Sequence, residues 1–274
     1  MNGLALPLPL AVGGASGRMG RALCAAILDA PDLRLVGGCG GPSGGHIGQD
    51  LGLLAGREAA HVLLSDQASL ASSEARVWID VSTPAGLCRN LADLAPGVLG
   101  VVIGVTGLEA SAEAALMACA ARRALVHSGN FSLGLNVLLG LVQETAARLD
   151  PQWDIEILDI HHRHKRDAPS GTALMLGEAA AKGRGQELAQ LRIGPHPSDA
   201  PPRPKGAIGF AALRGGSLIG EHQVLFAGEQ ESLTLSHSAQ SREIFAAGAL
   251  RAARWVAGQP AGRYSMQDVL GFTK

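Results

Sequence analysis

Val12-Gly13-Gly14-Ala15-Ser16-Gly17-Arg18-Met19-Gly20-Arg21 decides the fold. An apolar run ends on this stretch and a helix-like run starts from it. Gly14 and Gly17 let the backbone turn tightly and approach a pyrophosphate. Gly20 lets the following helix lie close to the strand, and the helix start offers unpaired N–H groups at the positive end of its dipole. The spacing, G-x-x-G-x-x-G, is a variant of the dinucleotide fingerprint. Glycine triplets also occur in ordinary turns, so the weight comes from its position between strand and helix.

Outward from the loop, apolar runs at 10–12, 33–36, 61–64, 77–81, 98–105 and 124–126 are short and nearly unbroken, as strands buried on both faces are. Helix-like stretches at 18–29, 66–73, 84–94 and 111–123 separate them, several opening with a capping residue or an early proline. This alternation predicts an α/β architecture in which an N-terminal Rossmann-type, doubly wound parallel sheet forms a dinucleotide-binding domain over 1–131. The first strand of such a sheet is central, yet Pro7 and Pro9 lack the N–H a central ladder uses, so the usable strand is predicted to start near Leu10.

From Leu133 the pattern changes. A helix over 133–149 follows Ser132. An alternating strand comes next at 153–160, then a loop, a helix from about Gly171, a proline-rich surface loop at 195–204, and strands near 208, 218–226 and 232–236. Strands in runs predict a C-terminal α+β domain with a mixed or antiparallel sheet over 132–240, for substrate binding and oligomerisation. A final helix over 242–256, within a segment 241–274, is expected to return to the first domain.

With 23 Lys and Arg against 24 Asp and Glu, the net charge of -1 gives no broad cationic field for nucleic acid or an acidic membrane surface. Residues 3–12 are apolar but too short to span a bilayer and lack a preceding cation, so they are taken as a strand. Cys24, Cys39, Cys88 and Cys119 form no C-x-x-C, which fits a reducing cytoplasmic setting without a disulfide framework.

The second chemical stretch is Asp159-Ile160-His161-His162-Arg163-His164-Lys165-Arg166-Asp167-Ala168-Pro169-Ser170-Gly171-Thr172. Six consecutive residues from His161 to Arg166 are cationic or can become so. They end near a helix start whose amides and hydroxyls suit an anion, so a carboxylate is the expected guest. Strand alternation puts His161 on the face of Ile155 and Ile157, with His162 pointing the other way. No carboxylate or cysteine stands at obvious ligand spacing, so no metal is expected. His46, His61, His127, His196, His222 and His237 are expected to be structural or exposed, with His127 the one of interest.

Residues 161–173 together with 13–21 closely resemble the dihydrodipicolinate reductase family, nicotinamide-dependent enzymes of lysine (diaminopimelate) biosynthesis. The resemblance extends through Ser82-Thr83-Pro84, Gly104-Val105-Thr106-Gly107, Asn130-Phe131-Ser132-x-Gly134-x-Asn136, Ile208-Gly209-Phe210, Arg214, Gly220, Glu221 and His222. It implies hydride transfer from NADPH or NADH to a cyclic imine dicarboxylate, giving tetrahydrodipicolinate. It also implies that Gly14, Ala15, Ser16, Gly17, Arg18 and Met19 hold the pyrophosphate, while Gly104, Val105, Thr106, Ser128, Gly129, Asn130 and Phe131 flank the nicotinamide. His161 would be the catalytic acid/base and Lys165 a proton donor, with His162, Gly171 and Thr172 on the substrate carboxylate. A cytoplasmic homotetramer joined through the second sheet, and a hinge that closes on ligand, are further implications.

This chain departs from the family at Gly40 and Gly41, where members commonly carry an acidic and a basic residue that contact the adenosine ribose. Neither device for choosing between the cofactors is therefore present, although Ser43 or His46 could reach a 2′-phosphate. Two other readings compete. A semialdehyde dehydrogenase would need a catalytic cysteine, but Cys88 and Cys119 fall in helix-like stretches. A non-catalytic nucleotide sensor would keep only the first domain.

Overall fold

The computed structural model describes residues 6–41, 44–194 and 202–273. They form two compact units. One contains the chain up to Ser132 and again from Glu243 onward, and the other is Leu133–Arg242.

In the first unit the chain runs β1 (Leu8–Gly13), α1 (Arg18–Leu28), β2 (Leu33–Cys39), α2 (Leu51–Leu54), β3 (Leu64–Ser65), α3 (Ala68–Ala71), β4 (Val77–Asp80), α4 (Pro84–Ala92), β5 (Gly100–Ile103), α5 (Ala110–Ala120) and β6 (Ala124–His127). The second unit holds α6 (Leu133–Arg148), β7 (Asp154–His161), α7 (Gly171–Gly183), α8 (Leu188–Leu191), β8 (Arg192–Ile193), β9 (Ile208–Arg214), β10 (Glu221–Ala227) and β11 (Ser232–Ser238). The chain then re-enters the first unit with α9 (Glu243–Val256), β12 (Gly262–Tyr264) and α10 (Met266–Leu270).

The first sheet is seven-stranded and parallel throughout, in the order β12-β6-β5-β4-β1-β2-β3. All four residues of β4, and all four of β5, are buried, which is why those runs carry no polar alternation. The chain reverses its winding between β1 and β4, so the crevice above their carboxyl ends is the expected ligand position.

Contrary to the expectation for Leu10, β1 begins at Leu8 and includes Pro9 while remaining central. The Leu8 amide donates to the Asp32 carbonyl on the β2 side. Pro9 faces the other side, where its carbonyl accepts from the Arg76 amide and pairing with β4 starts only at Leu10↔Val77. The missing N–H thus falls where no partner strand yet exists.

The run at 61–64 also differs from its strand expectation. Only Leu64–Ser65 pairs with β2, while His61 takes a positive φ of 56° before it. Several short elements were not anticipated, namely α2, α8, β8, β12 and α10, because elements of two to five residues are too short to show a period. Residues 195–201 of the proline-rich stretch, including His196, lie outside the described residues, as do Ser43 and residues 1–5.

The second unit's sheet is mixed, in the order β11-β10-β7-β9-β8. β7 pairs antiparallel with β10 and parallel with β9. Ile155, Ile157, Phe210, Val224 and Phe226 fill one face against Leu138 and Val142 of α6 and Leu176 and Ala180 of α7. Along β7 alternate residues are buried, so Asp159 and His161 share the covered face with the core isoleucines. The strand β10 starts at Glu221, later than the predicted 218, since Leu218 lies in the preceding connection, where its carbonyl accepts from the His162 amide.

Candidate active site

In the glycine loop, conformational freedom and close approach are both used. Gly14 has φ of +77°, and a Cβ there would stand 2.8 Å from the Ser82 Cα. A Cβ on Gly20 would stand 2.1 Å from the Gly14 carbonyl oxygen, so the first turn of α1 can lie on the loop only as glycine. The amides of Gly14 and Ala15 both donate to the Cys39 carbonyl, and the Gly17 amide donates to Gly14. Of the six residues expected to hold the pyrophosphate, Gly14, Ala15 and Gly17 therefore shape the loop with their amides. Those of Ser16, Arg18 and Met19 donate to no backbone partner among the described residues. Gly17 caps α1 without a side chain, which leaves that end open to an anion.

Two cavities flank the loop and share Val81. One, about 260 Å³, is lined by Ser16, Gly17, Gly40, Gly41, Thr83 and Arg89, among others. The other, about 210 Å³ and mainly apolar, is lined by Met19, Gly104, Gly129, Asn130, Phe131 and Phe245 among others. Two chambers on either side of an anion cradle, one bearing the Ser16 and Thr83 hydroxyls and Arg89 and the other closed by Met19, Phe131 and Phe245, fit the two ends of a dinucleotide. Val105 is buried and its carbonyl faces His127 Nε2 at 3.3 Å, while Thr106 is exposed at the loop. The Ser128 hydroxyl donates to the Asn130 carbonyl, fixing the turn before Phe131. Arg89 was not singled out on the sequence; its place on α4 becomes visible only once the sheet brings α4 beside β2. His46 Nε2 lies 3.3 Å from an Arg21 nitrogen.

The second cluster is built by strand register. Across the mixed sheet His222 of β10 pairs with Asp159, and Arg214 of β9 pairs with His161. Asp159, 1% exposed at its side chain, is the hub. Its Oδ2 accepts from the Ser170 amide at 2.7 Å and from Arg214 at 3.0 Å. Its Oδ1 stands 2.6 Å from His161 Nδ1 and 3.4 Å from His222 Nε2. The His161 ring is turned off the ideal donor line, and neither of those two atoms has any other hydrogen-bond partner. The distance carries more weight, because two lone pairs at 2.6 Å would repel and a proton must lie between them.

Although burial opposes it, the Ser170 amide and Arg214 hold the Asp159 carboxyl below the usual carboxylate range. Burial lowers His161, against the pull of Asp159 and with the help of Lys165 and Arg214. Burial also lowers His222 to about 4.

Lys165 Nζ pairs with Asp167 at 2.9 Å, so this cation is held beside His161 and is not free in solvent. Ser170 caps α7 by accepting from the Ala173 amide, which leaves Gly171 exposed and Thr172 half-buried at the helix start. His162 is half-buried, and its Nδ1 accepts from the His164 amide.

The sequence reading needs two corrections here. His222 belongs to the cluster and is not a remote histidine. A carboxylate does stand at ligand spacing, because Asp159 and His161 are two apart on one strand face and make, with His222, a three-residue group of potential ligand atoms. The signal was present as Asp-x-His within an alternating strand. A gap of 2.6 Å nevertheless suits a shared proton better than a metal, whose tetrahedral ligands at ~2.0–2.1 Å would stand roughly 3.3 Å apart. Cys88 is half-buried in α4 and Cys119 is buried in α5, with its thiol pushed up by burial, so neither offers a nucleophile for semialdehyde chemistry. A cavity of about 780 Å³ beside α7 and α8 contains none of these residues.

Family models described as the N-terminus and the C-terminus of dihydrodipicolinate reductase match residues 8–131 and 134–270. The chain belongs to the dihydrodipicolinate reductase family. Proteins named 4-hydroxy-tetrahydrodipicolinate reductase from Parvibaculum lavamentivorans and Sinorhizobium fredii are 46% and 48% identical to it, over 96% of this chain and 98% and 97% of theirs. Among solved structures, a dipicolinate-bound dihydrodipicolinate reductase from Paenisporosarcina sp. TG-14 superposes with a TM-score of 0.74. It covers 95% of this chain and 98% of its own at 22% identity, a likeness of fold. An amine dehydrogenase from Mycobacterium smegmatis shares the fold more distantly, with a TM-score of 0.63 at 16% identity over 93% of this chain and 94% of its own. The fold is thus shared by proteins of different names, and function has to be argued from the residues placed on it.

Proposed function

We propose that this protein is a 4-hydroxy-tetrahydrodipicolinate reductase of lysine (diaminopimelate) biosynthesis, reducing a cyclic, conjugated imine dicarboxylate to tetrahydrodipicolinate. The observation that carries this reading is a buried His161, set against Asp159 and beside Lys165, next to the open start of α7 in a chain of this family. Bound NADPH or NADH would supply the hydride.

The first unit serves as the dinucleotide-binding domain. The unpaired amides of Ser16, Arg18 and Met19 bind the pyrophosphate, on a loop shaped by Gly14, Ala15 and Gly17. Gly104, Val105, Thr106, Ser128, Gly129, Asn130 and Phe131 form the nicotinamide side. The second unit binds substrate, with the Gly171 amide, the Thr172 hydroxyl and His162 holding one carboxylate. Adding hydride to a conjugated imine leaves electron density that must be protonated, which His161 does with Lys165 as a second proton donor. A substrate dianion draws Lys165 from Asp167 and raises the His161 pKa, so that the imidazole acquires its proton when substrate arrives.

Assembly as a homotetramer is supported by the sheet face away from α6 and α7. Leu158, Ile160 and Leu225 are half-buried there, and Leu213 is 53% exposed. A face of that kind is ordinarily covered by a partner. A cytoplasmic setting is supported by four free cysteines. No helix of the described residues is long and apolar enough to cross a membrane.

The reading is tested by following NADPH and NADH oxidation with freshly mixed aspartate semialdehyde and pyruvate and the synthase that condenses them. Oxidation that requires all components is expected. No oxidation above the synthase-free control would overturn the reading.

A further inference from the structure

We infer that Asp159 is the positioning residue of this site: its carboxylate accepts the hydrogen bond of His161 Nδ1–H and so fixes the imidazole tautomer whose Nε2 exchanges the proton with substrate. The inference rests on the proposed role of His161, and it adds the residue that gives the ring its direction.

The register dictates the arrangement. Asp159 and His161 stand two apart on one face of β7, and the strands on either side contribute Arg214 and His222. Both strong donors near the carboxylate, Arg214 and the Ser170 amide, engage Oδ2. Oδ1 is left to the histidines. His222 faces it from 3.4 Å and is neutral above about pH 4, while its Nε2 lies 3.1 Å from the Ser170 hydroxyl. His161 Nδ1, at 2.6 Å, is therefore the group that Oδ1 serves.

The other ring nitrogen, Nε2, has no hydrogen-bond partner among the described residues. It lies over Gly220, where a Cβ would stand 3.0 Å from it. A glycine at 220 keeps that nitrogen uncovered. The charged or titratable groups around His161 are Asp159 on its own strand, Lys165 and Asp167 in the following loop, Arg214 on β9 and His222 on β10, with His237 of β11 acting on His222. Asp159 is the anion in contact with the ring, and Asp167 is paired to Lys165. In the step itself the imidazolium carries a proton on each nitrogen. The Nε2–H bond breaks, its electron pair stays on Nε2, and the proton goes to the carbanionic centre that hydride addition creates. Nδ1 keeps its proton on Asp159.

Asp159→Asn tests this with little change of shape. Arg214 and the Ser170 amide both donate to the Oδ2 position, so the new carboxamide must put its oxygen there and its NH₂ toward His161. Nδ1 then has to accept, and the proton moves to Nε2. Reversing a histidine tautomer in this way costs on the order of 10⁴-fold in kcat in the Ser-His-Asp system. Here kcat is expected to fall ~10²-fold or more, with the KM for the nicotinamide cofactor nearly unchanged. The pH limb due to His161 should shift downward, because its stabilising anion is gone. Asp159→Glu, which keeps the charge, should recover part of kcat.

Nitrogen-15 NMR of wild-type His161 at neutral pH, which needs neither turnover nor a folded variant, should show Nδ1 protonated and Nε2 bare. A wild-type ring protonated on Nε2, or an Asp159→Asn enzyme with kcat within a few-fold of wild type, would overturn the assignment. A wild-type protein without reductase activity would instead overturn the proposed function, while the NMR spectrum would still decide what Asp159 does to the ring.

Discussion

The glycine loop and the histidine cluster are built on opposite principles. The loop is built by leaving side chains out: two glycines bring backbone within reach of backbone, and the groups it offers are amides. The cluster works by bringing side chains in, from three strands and a helix start, around one buried carboxylate. A backbone site tolerates changes of side-chain chemistry but not of volume, whereas a side-chain site is sensitive to chemistry at fixed volume.

The largest expected effect tests the second half of that contrast. His161→Ala and Lys165→Ala should each lower kcat by ~10²-fold or more while dinucleotide affinity barely moves. Titration against the dinucleotide alone, set beside steady-state kinetics, checks both parts. A variant with near wild-type kcat would remove its residue from the chemistry.

Acid should weaken the fold. Native His161, His222, His127 and His237 all have lowered pKa values, each chiefly through burial. The unfolded chain takes up their protons below about pH 6.5 while the native protein does not, so stability is complete above that pH and is lost as pH falls toward 4. His222 alone, lowered from 6.5 to about 4, contributes roughly 3 kcal/mol. Thermal unfolding followed between about pH 7 and about pH 4.5 should show Tm falling, and His222→Gln should flatten the decline.

At the start of α7, Thr172→Val removes one hydrogen bond to a charged group, for roughly 1.5–3 kcal/mol, and should raise substrate KM more than it lowers kcat. Finding a planar pyridine dicarboxylate bound elsewhere in soaked crystals would refute that placement.

Paired glycine substitutions sharpen the comparison most directly. Gly20→Ala drives a methyl into the Gly14 carbonyl and should destabilise the first unit by ~1–3 kcal/mol, weakening dinucleotide binding with it. At Gly171 a Cβ meets nothing within 4 Å, and Gly171→Ala should change stability by no more than ~0.5 kcal/mol.

The smallest effect is cofactor choice. Gly40 and Gly41 offer neither a repelling carboxylate nor a fixed cation, and Arg89 and the Arg21–His46 pair supply only a mild attraction for a 2′-phosphate. The kcat/KM ratio of the two cofactors should therefore lie within ~30-fold, leaning to NADPH. Gly40→Asp, whose Cβ would meet Leu64 at 3.1 Å and Ser16 at 3.4 Å, should shift the preference to NADH. Discrimination beyond a thousandfold in wild type would mean that another residue reads the ribose.

What the sequence disclosed follows the same division. The loop was legible because glycine spacing is local, and the parallel sheet because fully buried strands write unbroken apolar runs. His161 and Lys165 were legible through a contiguous motif. Asp159 was quoted beside them without a role, and Arg89 and the place of His222 were hidden, since each depends on which strands or helices become neighbours. Pro9 misled for a related reason: a missing N–H matters only where a partner strand is present to receive it, and β4 starts one residue later.

The return of the chain to its first unit has a consequence for synthesis. The edge strand β12 pairs with β6, and α9 packs on β4, β5 and β6, yet both are made after the whole of the second unit. As the polypeptide leaves the ribosome, residues 133–242 emerge whole and can complete their own core. The older N-terminal portion meanwhile waits with one flank of its sheet bare and β6 as an open edge. The segment made after the insert therefore acts as the clasp of the unit begun before it. A chain cut off near residue 242 would present a finished insert joined to an unclosed, aggregation-prone host.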